Sequence, residues 1–399
     1  MRHPRALQTR LIRESIDRLK AQDPPLAAGS VEASARRYSD TDWLSRETGT
    51  IFRNEPQYLG LAGEIPDAGD YMTRELPGVS LLAVRGKDQQ IRAFRNRCRH
   101  RGTRVAEGEG KARRFTCPYH AWTYGLDGIL ASVPEACHFD TVEPGVDGLC
   151  PVPILEWAGM LFFLPPGTDE ATARARLHPI VSELEGFDFH AYRSRRTFST
   201  GKPTNWKLGV DTFLEAYHVP VLHARTIGRT LVGGFALYEP LQPHARLVAP
   251  RRPILDLTEE QITSDPLHRH AIIVYRIFPN TVIVSMETHA EIHRFNPVQG
   301  QPNRMTWDLT VAASPLGQSL DIDWDRILDL AAGVVEREDL VMMAQIQANL
   351  DSEGPESTVT FGRNEPALQD FHAEIDQAMG EPEPLRRPEE GLPAALAAR

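Results

Sequence analysis

Cysteine is scarce in this sequence, four in 399 residues, and no stretch of about 18 consecutive apolar residues occurs in it. So few thiols exclude a fold stapled by disulfides, and a chain without a long apolar run is not expected to cross a membrane as a helix. Positive charge is also in deficit: 44 Lys and Arg against 54 Asp and Glu leave a net charge of −10, which speaks against a nucleic-acid binder. The Gly-rich fingerprint G-x-G-x-x-G is missing, so a nicotinamide dinucleotide is not expected to bind here. Met1-Arg2-His3-Pro4-Arg5 is basic but leads into no apolar h-region, so no secretory signal is expected. With Cys137 and Cys150 most simply free thiols, a cytoplasmic location follows as the expectation.

The two remaining cysteines form a pattern with two histidines. Cys98-Arg99-His100 and Cys117-Pro118-Tyr119-His120 place two mixed Cys/His pairs sixteen residues apart. Zinc accepts two thiolates and two imidazoles, but zinc-finger spacing groups Cys with Cys and His with His. A Cys-x-His pair followed by a Cys-x-x-His pair suits a two-iron, two-sulfur cluster in which one iron takes both cysteines and the other both histidines. The motif thus resembles a Rieske cluster site, with Gly102, Gly108, Gly110 and Pro118 letting two loops fold tightly around it. Such a site passes single electrons, so a receiver is expected elsewhere in the chain.

At 399 residues the chain is long enough for two cores, and the pattern predicts an α+β protein. Residues 6–21 carry Leu7, Leu11, Ile12, Ile16 and Leu19 on one helical face, and Pro24-Pro25 ends that helix. Residues 26–40 read as a connector, completing an N-terminal segment 1–40. From Trp43 to about residue 165 the sequence reads as an all-β domain. Its hairpin joins Val79–Val84 to Gln90–Phe94, and further strands lie at Phe115, Trp122–Tyr124 and Gly159–Leu164. A second unit, 166–379, opens with a helical stretch at 169–186. It continues with an antiparallel sheet over 271–278, 281–287, 290–296 and 304–313, then a long helix over 323–350. The Pro-, Glu- and Ala-rich tail 380–399 is expected to fray.

Two features mark the receiver. The segment Asn205-Trp206-Lys207 leads into Asp211-Thr212-Phe213-Leu214-Glu215-Ala216-Tyr217-His218-Val219-Pro220-Val221-Leu222-His223. Histidines five apart are out of phase on a helix, and Pro220 between them predicts a kink that brings the rings together. On the long helix, Leu328, Ala332, Val335, Asp339, Met342 and Ile346 form one stripe. A carboxylate on such a buried face, at Asp339, is costly unless it pairs with a cation or a metal. Two histidines and one carboxylate match the facial triad of non-haem Fe(II) oxygenases. Glu336 and Glu338 are the next carboxylates in line, and Phe213, Leu214, Tyr217, Leu222 and Ile227 are the predicted apolar pocket.

On these residues the chain resembles the oxygenase α subunit of the Rieske-type non-haem iron oxygenases, the aromatic-ring-hydroxylating family, over roughly residues 40–375. The likeness rests on C-x-H…C-x-x-H, on Asn-Trp-Lys ahead of H-x4-H, and on Glu338-Asp339 followed by Gln347. It implies a Rieske domain at 41–165 and a helix-grip (START-like) catalytic domain. It also implies one 2Fe-2S cluster per subunit on Cys98, His100, Cys117 and His120, and one mononuclear Fe(II) on His218, His223 and Asp339. Glu215 and Asp211 are the implied catalytic carboxylates. In the family a carboxylate three residues before the first iron histidine links it to a cluster histidine across a head-to-tail homotrimer, here His218 to His120. Implied partners are O2, a small organic substrate and a ferredoxin or flavin-dependent NAD(P)H reductase, with Arg99, Arg101, Arg104, Lys111, Arg113 and Arg114 as a docking patch. Two departures stand out: Thr212 occupies a position where many members carry Asn, and Glu215 replaces the Asp of the best-known dioxygenases. Glu there resembles members that act on quaternary amines as monooxygenases or demethylases. A zinc-stabilised small-molecule-binding protein and an electron carrier with an inert second domain are the readings from other classes.

Overall fold

A computed structural model describes residues 4–354, 357–380 and 385. They form two compact units, one built from 54–177 and 188–193, the other from 1–53, 178–187 and 194–399. The expected tail, 380–399, lies outside the described residues except Gly380 and Leu385.

The first unit is built mainly on antiparallel sheet, and the predicted helical stretch appears as Glu170–Leu184 at its end. Val79–Arg85 pairs with Ile91–Arg95 around a tight turn at Gly86 to Gln90, which is the predicted hairpin. A five-stranded sheet grows on it, flanked by Asp70–Leu76 and Glu109–Lys111 on one side and Pro151–Val152 on the other. A separate three-stranded sheet, Phe115–Thr116, Thr123–Tyr124 and Leu130–Ser132, carries the second Cys/His loop. Leu82, Val84, Phe94, Phe115, Trp122 and Tyr124 form one buried cluster with Cys98 and Cys117.

The second unit wraps a seven-stranded antiparallel sheet with helices. In sheet order its strands are Arg193–Lys202, Gln301–Ala313, His289–Val298, Thr281–Ser285, Ala271–Ile277, His244–Pro250 and Leu237–Leu241. Among its helices are α1 (Arg5–Ala21), α2 (Thr41–Asn54), α3 (Trp206–Asp211), α4 (Val219–Leu222), α5 (Trp324–Val334), α6 (Leu340–Glu353) and α7 (Pro366–Met379). The chain is thus α+β as expected, with one β unit and one unit built on a helix-covered antiparallel sheet.

Three expectations about local structure change. Residues 41–54 are helix, not the start of the β domain: Trp43, Leu44, Glu47, Ile51 and Phe52 bury one helical face in the core of the second unit, which moves the unit boundary to 54. Within the presumed connector, Val31–Ser34 is a strand paired with Thr358–Phe361, a partner too remote for local pattern to reveal. The long helix is two helices, α5 and α6, joined by a π-helical turn at Val335–Asp339. That turn takes up one extra residue, so past Asp339 the buried face runs through Met343, Gln347 and Leu350. Met342 and Ile346, assigned to the stripe by uniform helical spacing, are exposed.

Candidate metal centres and the adjoining cavity

The two Cys/His loops share one hydrogen-bonding scheme. Cys98 N–H donates to Thr103 O at 2.7 Å and Gly102 N–H to Cys98 O at 3.0 Å; Cys117 N–H donates to Trp122 O at 2.8 Å and Ala121 N–H to Cys117 O at 3.0 Å. Gly102 and Ala121 occupy the same place in each loop, both with positive φ, 85° and 59°. A residue in that conformation turns the chain back so that the cysteine and the histidine of each loop face the same side. The two histidine rings meet at 4.5 Å between centroids, and His100 stacks on Trp122 at 5.0 Å. Tyr124 fixes the first loop: its hydroxyl lies 3.2 Å from Cys98 Sγ and accepts from Arg99 N–H at 3.0 Å. His100 Nδ1 is buried with no hydrogen-bond partner. Burial, with help from His120 and Arg101, lowers the pKa of His100 and keeps its ring neutral, the form that ligates metals. Two buried thiols, two converging imidazoles and an orphaned ring nitrogen fit an iron-sulfur cluster.

The second group is held by a buried polar scaffold. Asn205 caps α3, its side chain accepting from Lys207 N–H at 2.9 Å, and donates to Tyr38 O and Pro302 O. Glu47 accepts from Lys207 Nζ at 2.7 Å, Trp206 Nε1 at 3.0 Å and Trp43 Nε1 at 2.8 Å. Gln347 accepts from Asn205 N–H at 2.8 Å and so ties α6 to the start of α3. The Asn-Trp-Lys motif and Gln347 are therefore anchors of the helices that bear the site.

After α3 the chain makes a short 3-10 turn and becomes extended at Glu215. His218 caps α4, and Pro220 lies in the first turn of that helix, where a proline costs no hydrogen bond. The histidines meet because the chain breaks at Glu215 and restarts, not because Pro220 kinks one helix; their rings are 5.0 Å apart. Glu215 and His218 accordingly share no helical face. The Glu215 carboxylate instead folds forward, accepting from Tyr217 N–H, from His218 N–H at 3.1 Å and from His218 Nδ1.

Asp339 completes the set. Its Oδ1 is buried without a hydrogen-bond partner and lies 3.1 Å from His223 Nε2 and 3.7 Å from His218 Nε2. One ligand atom from each of His218, His223 and Asp339 falls within 4.8 Å of the others. The outer nitrogen of each ring is taken by a glutamate, His218 Nδ1 by Glu215 and His223 Nδ1 by Glu338, which also accepts from Thr226 Oγ1 at 2.9 Å. Burial disfavours charge on His223, yet the Asp339 and Glu338 carboxylates raise its pKa. The same field favours a divalent cation between the three inner atoms, and the donor set fits non-haem iron.

These residues line one wall of a cavity of about 170 Å³, of the order of the roughly 150 Å³ that accepts a benzene-sized guest. Its other walls are mostly aliphatic and aromatic, including Phe213, Ile227, Phe235, Leu247, Val274, Val284 and Val334. Of the predicted pocket residues, Phe213 and Ile227 line it. Leu214 is instead in the core, and Tyr217 is exposed; neither these nor Leu222 faces the cavity. Asp211 is not at the site either. It accepts from the Tyr38 hydroxyl at 2.8 Å and lies 3.1 Å from His372 Nε2, a buried network beside the scaffold. Glu336 pairs with Lys202 at 2.7 Å. Sequence spacing missed Glu338 as the partner of His223 because a uniform helix turns adjacent residues about 100° apart. It also missed Glu291, the cavity's carboxylate on a strand, although His289, Glu291 and His293 alternate along one strand face.

Two family models match the chain, "Rieske [2Fe-2S] domain" over residues 55–143 and "Ring hydroxylating alpha subunit (catalytic domain)" over 189–381. The chain is 36% identical over 192 residues to the carnitine monooxygenase oxygenase subunit of Escherichia coli (strain K12), a match covering 47% of the chain and 51% of that protein. It is 31% identical over 191 residues to the chloroplastic choline monooxygenase of Beta vulgaris, covering 47% and 43%. The chain thus spans about half the length of the curated relatives it matches. Among solved structures, the quaternary ammonium Rieske monooxygenase CntA in complex with L-carnitine superposes with a TM-score of 0.72 at 22% identity, covering 90% of this chain and 97% of that one. Naphthalene 1,2-dioxygenase from Rhodococcus sp. superposes with a TM-score of 0.69 at 18% identity, covering 94% and 99%. At such identities the structural likeness speaks for the fold.

Proposed function

This chain belongs to the Rieske-type non-haem iron oxygenases, and on that premise we propose that it is a terminal oxygenase component acting on a small N-methylated, quaternary-amine substrate. The observation that carries the reading is the convergence of His218, His223 and Asp339 on one point in the wall of an apolar cavity. His218, His223 and Asp339 would hold a mononuclear iron, and Cys98, His100, Cys117 and His120 a 2Fe-2S cluster. When bound, the cluster relays single electrons and the iron activates O2 for insertion into a carbon–hydrogen bond.

The chain's own residues prepare that chemistry. Glu215 and Glu338 each occupy the outer nitrogen of one histidine, so each ring presents Nε2 inward and cannot rotate away. The aliphatic and aromatic walls exclude water and leave room for a small substrate beside the three inner atoms. The substrate class is supported by relatives named for carnitine, choline and glycine betaine. Electrons come from a separate ferredoxin or flavin-dependent NAD(P)H reductase. The working assembly is a head-to-tail homotrimer, in which Glu215 leads from His218 toward His120 of the partner subunit. Chemically reduced protein given O2 and a panel of N-methyl amines should yield hydroxylated or demethylated product. Iron-loaded protein that consumes O2 with no such product from any of them would overturn the reading.

A further inference from the structure

The strand wall of the same cavity holds a charged group that the metal site does not use. Glu291 lies in the strand His289–Val298, where the pairing sets it in a row with Leu247, Val274, Val284 and Val311 on adjacent strands. Leu247, Val274 and Val284 line the cavity alongside it. Its two direct neighbours in the row, Val284 and Val311, are aliphatic, so packing alone calls for a valine there.

The contacts of this carboxylate are sparse. His289 Nε2 is 3.4 Å away and His293 Nε2 3.7 Å, and among the described residues no Lys or Arg pairs with it. His293 Nδ1 accepts from the Trp307 indole N–H at 3.2 Å. An indole nitrogen only donates, so that ring is neutral with its proton on Nε2. His289 Nδ1 sits 2.9 Å from the Thr288 hydroxyl, and its Nε2 faces Glu291. Burial works against the charge, but the two imidazoles push the Glu291 pKa down to about 2. The result is a buried carboxylate with one long hydrogen bond, from His289, where an ionised carboxylate can accept about four. A counter-charge from outside the protein would complete it.

We propose that Glu291 is the seat of the substrate's positive charge, holding a methylated ammonium group against its carboxylate while a substrate carbon faces His218, His223 and Asp339. A quaternary nitrogen has no N–H to satisfy, so one anion in an apolar wall suffices, with Phe213 and Phe235 available for cation–π contact. A primary ammonium would bring three donors into a cavity with too few acceptors. Glu291 would thereby separate charged from neutral substrates of equal shape. The inference rests on the quaternary-amine reading above and deepens it.

Calorimetric titration of the intact, metal-loaded protein tests it, with choline and the neutral isostere in which carbon replaces the nitrogen. The wild type should bind choline roughly tenfold or more tighter than the isostere. Glu291→Gln should lose that preference while still binding the isostere, and Glu291→Asp should keep part of it. Equal affinities in the wild type, no detectable choline binding, or a preference that survives in Glu291→Gln would each overturn the proposal. Should Glu291→Gln fail to fold, the wild-type comparison decides alone. Iron content and product formation report separately on the metal site, so a lost anchor and a mistaken oxygenase reading give different results.

Discussion

Glu338 accepts from Nδ1 of His223, while Asp339, the next residue, faces Nε2 of the same ring at 3.1 Å. Neighbours on a regular helix diverge by about 100°, and these two converge on one imidazole across the π-helical turn that contains them. Glu338→Gln should therefore weaken iron binding, by roughly 10–100-fold as for other partners of ligating histidines, and leave the visible spectrum of the cluster unchanged. Metal titration of the iron-free protein checks this; an unaltered affinity would show that the ring is oriented by other means.

The Glu47–Lys207 pair is fully buried, and two indole N–H groups complete it. Glu47→Ala strands the ammonium of Lys207 and should cost about 3–5 kcal/mol in denaturant unfolding. Glu47→Leu with Lys207→Met together should cost much less, because neither charge is then left alone.

In the first Cys/His loop, His100→Cys exchanges an imidazole for a thiolate. The cluster should still assemble, and its reduction potential should fall, as potentiometry will show. A potential that does not move would mean that His100 is not a ligand.

Of the basic residues around the cluster loops, three are already engaged: Arg99 with Asp147, Arg104 with Glu75, and Lys111 with Asp67 and Asp70. Arg101, Arg113 and Arg114 are exposed. Reversing Arg113 and Arg114 to Glu should slow electron delivery by an acidic donor and flatten the fall of that rate with salt. Stopped-flow reduction at several ionic strengths measures both, and a rate independent of salt in the unaltered protein would remove the docking role.

The Cys/His spacing was plain in the sequence because within each pair it is a covalent property: Cys98 and His100, and Cys117 and His120, are close however the flanking strands pack. The hairpin and the large sheet were likewise legible, since Val79–Arg85 and Ala271–Ile277 combine β-branched residues with turn residues at their ends. What stayed hidden depended on exceptions to regular geometry or on distant partners. Constant helical phase carried Leu328 and Asp339 onto the right face and then failed at Met342, one π-turn later. The break between α3 and His218 stayed hidden because nothing local announces the extended Glu215. Residues 41–54 were misread because their apolar spacing, Trp43, Leu44, Ile51 and Phe52, is helical only when Glu47 counts as buried, which its partners Lys207 and Trp206 make possible.

The pairing of Val31–Ser34 with Thr358–Phe361 bears on how the chain is made. The catalytic unit is assembled from both ends of the polypeptide, whereas residues 54–177 of the cluster unit form one uninterrupted stretch. A ribosome finishes that stretch while the later strands and α5 to α7 are still unsynthesised, so the cluster unit can acquire its core early. Phe52 must wait for Trp206, and the strand Val31–Ser34 for Thr358–Phe361, partners that are all synthesised after residues 54–177. Nascent protein at that stage exposes apolar surface, and chaperone demand and yield on overexpression should be governed by this interval more than by the stability of the finished fold.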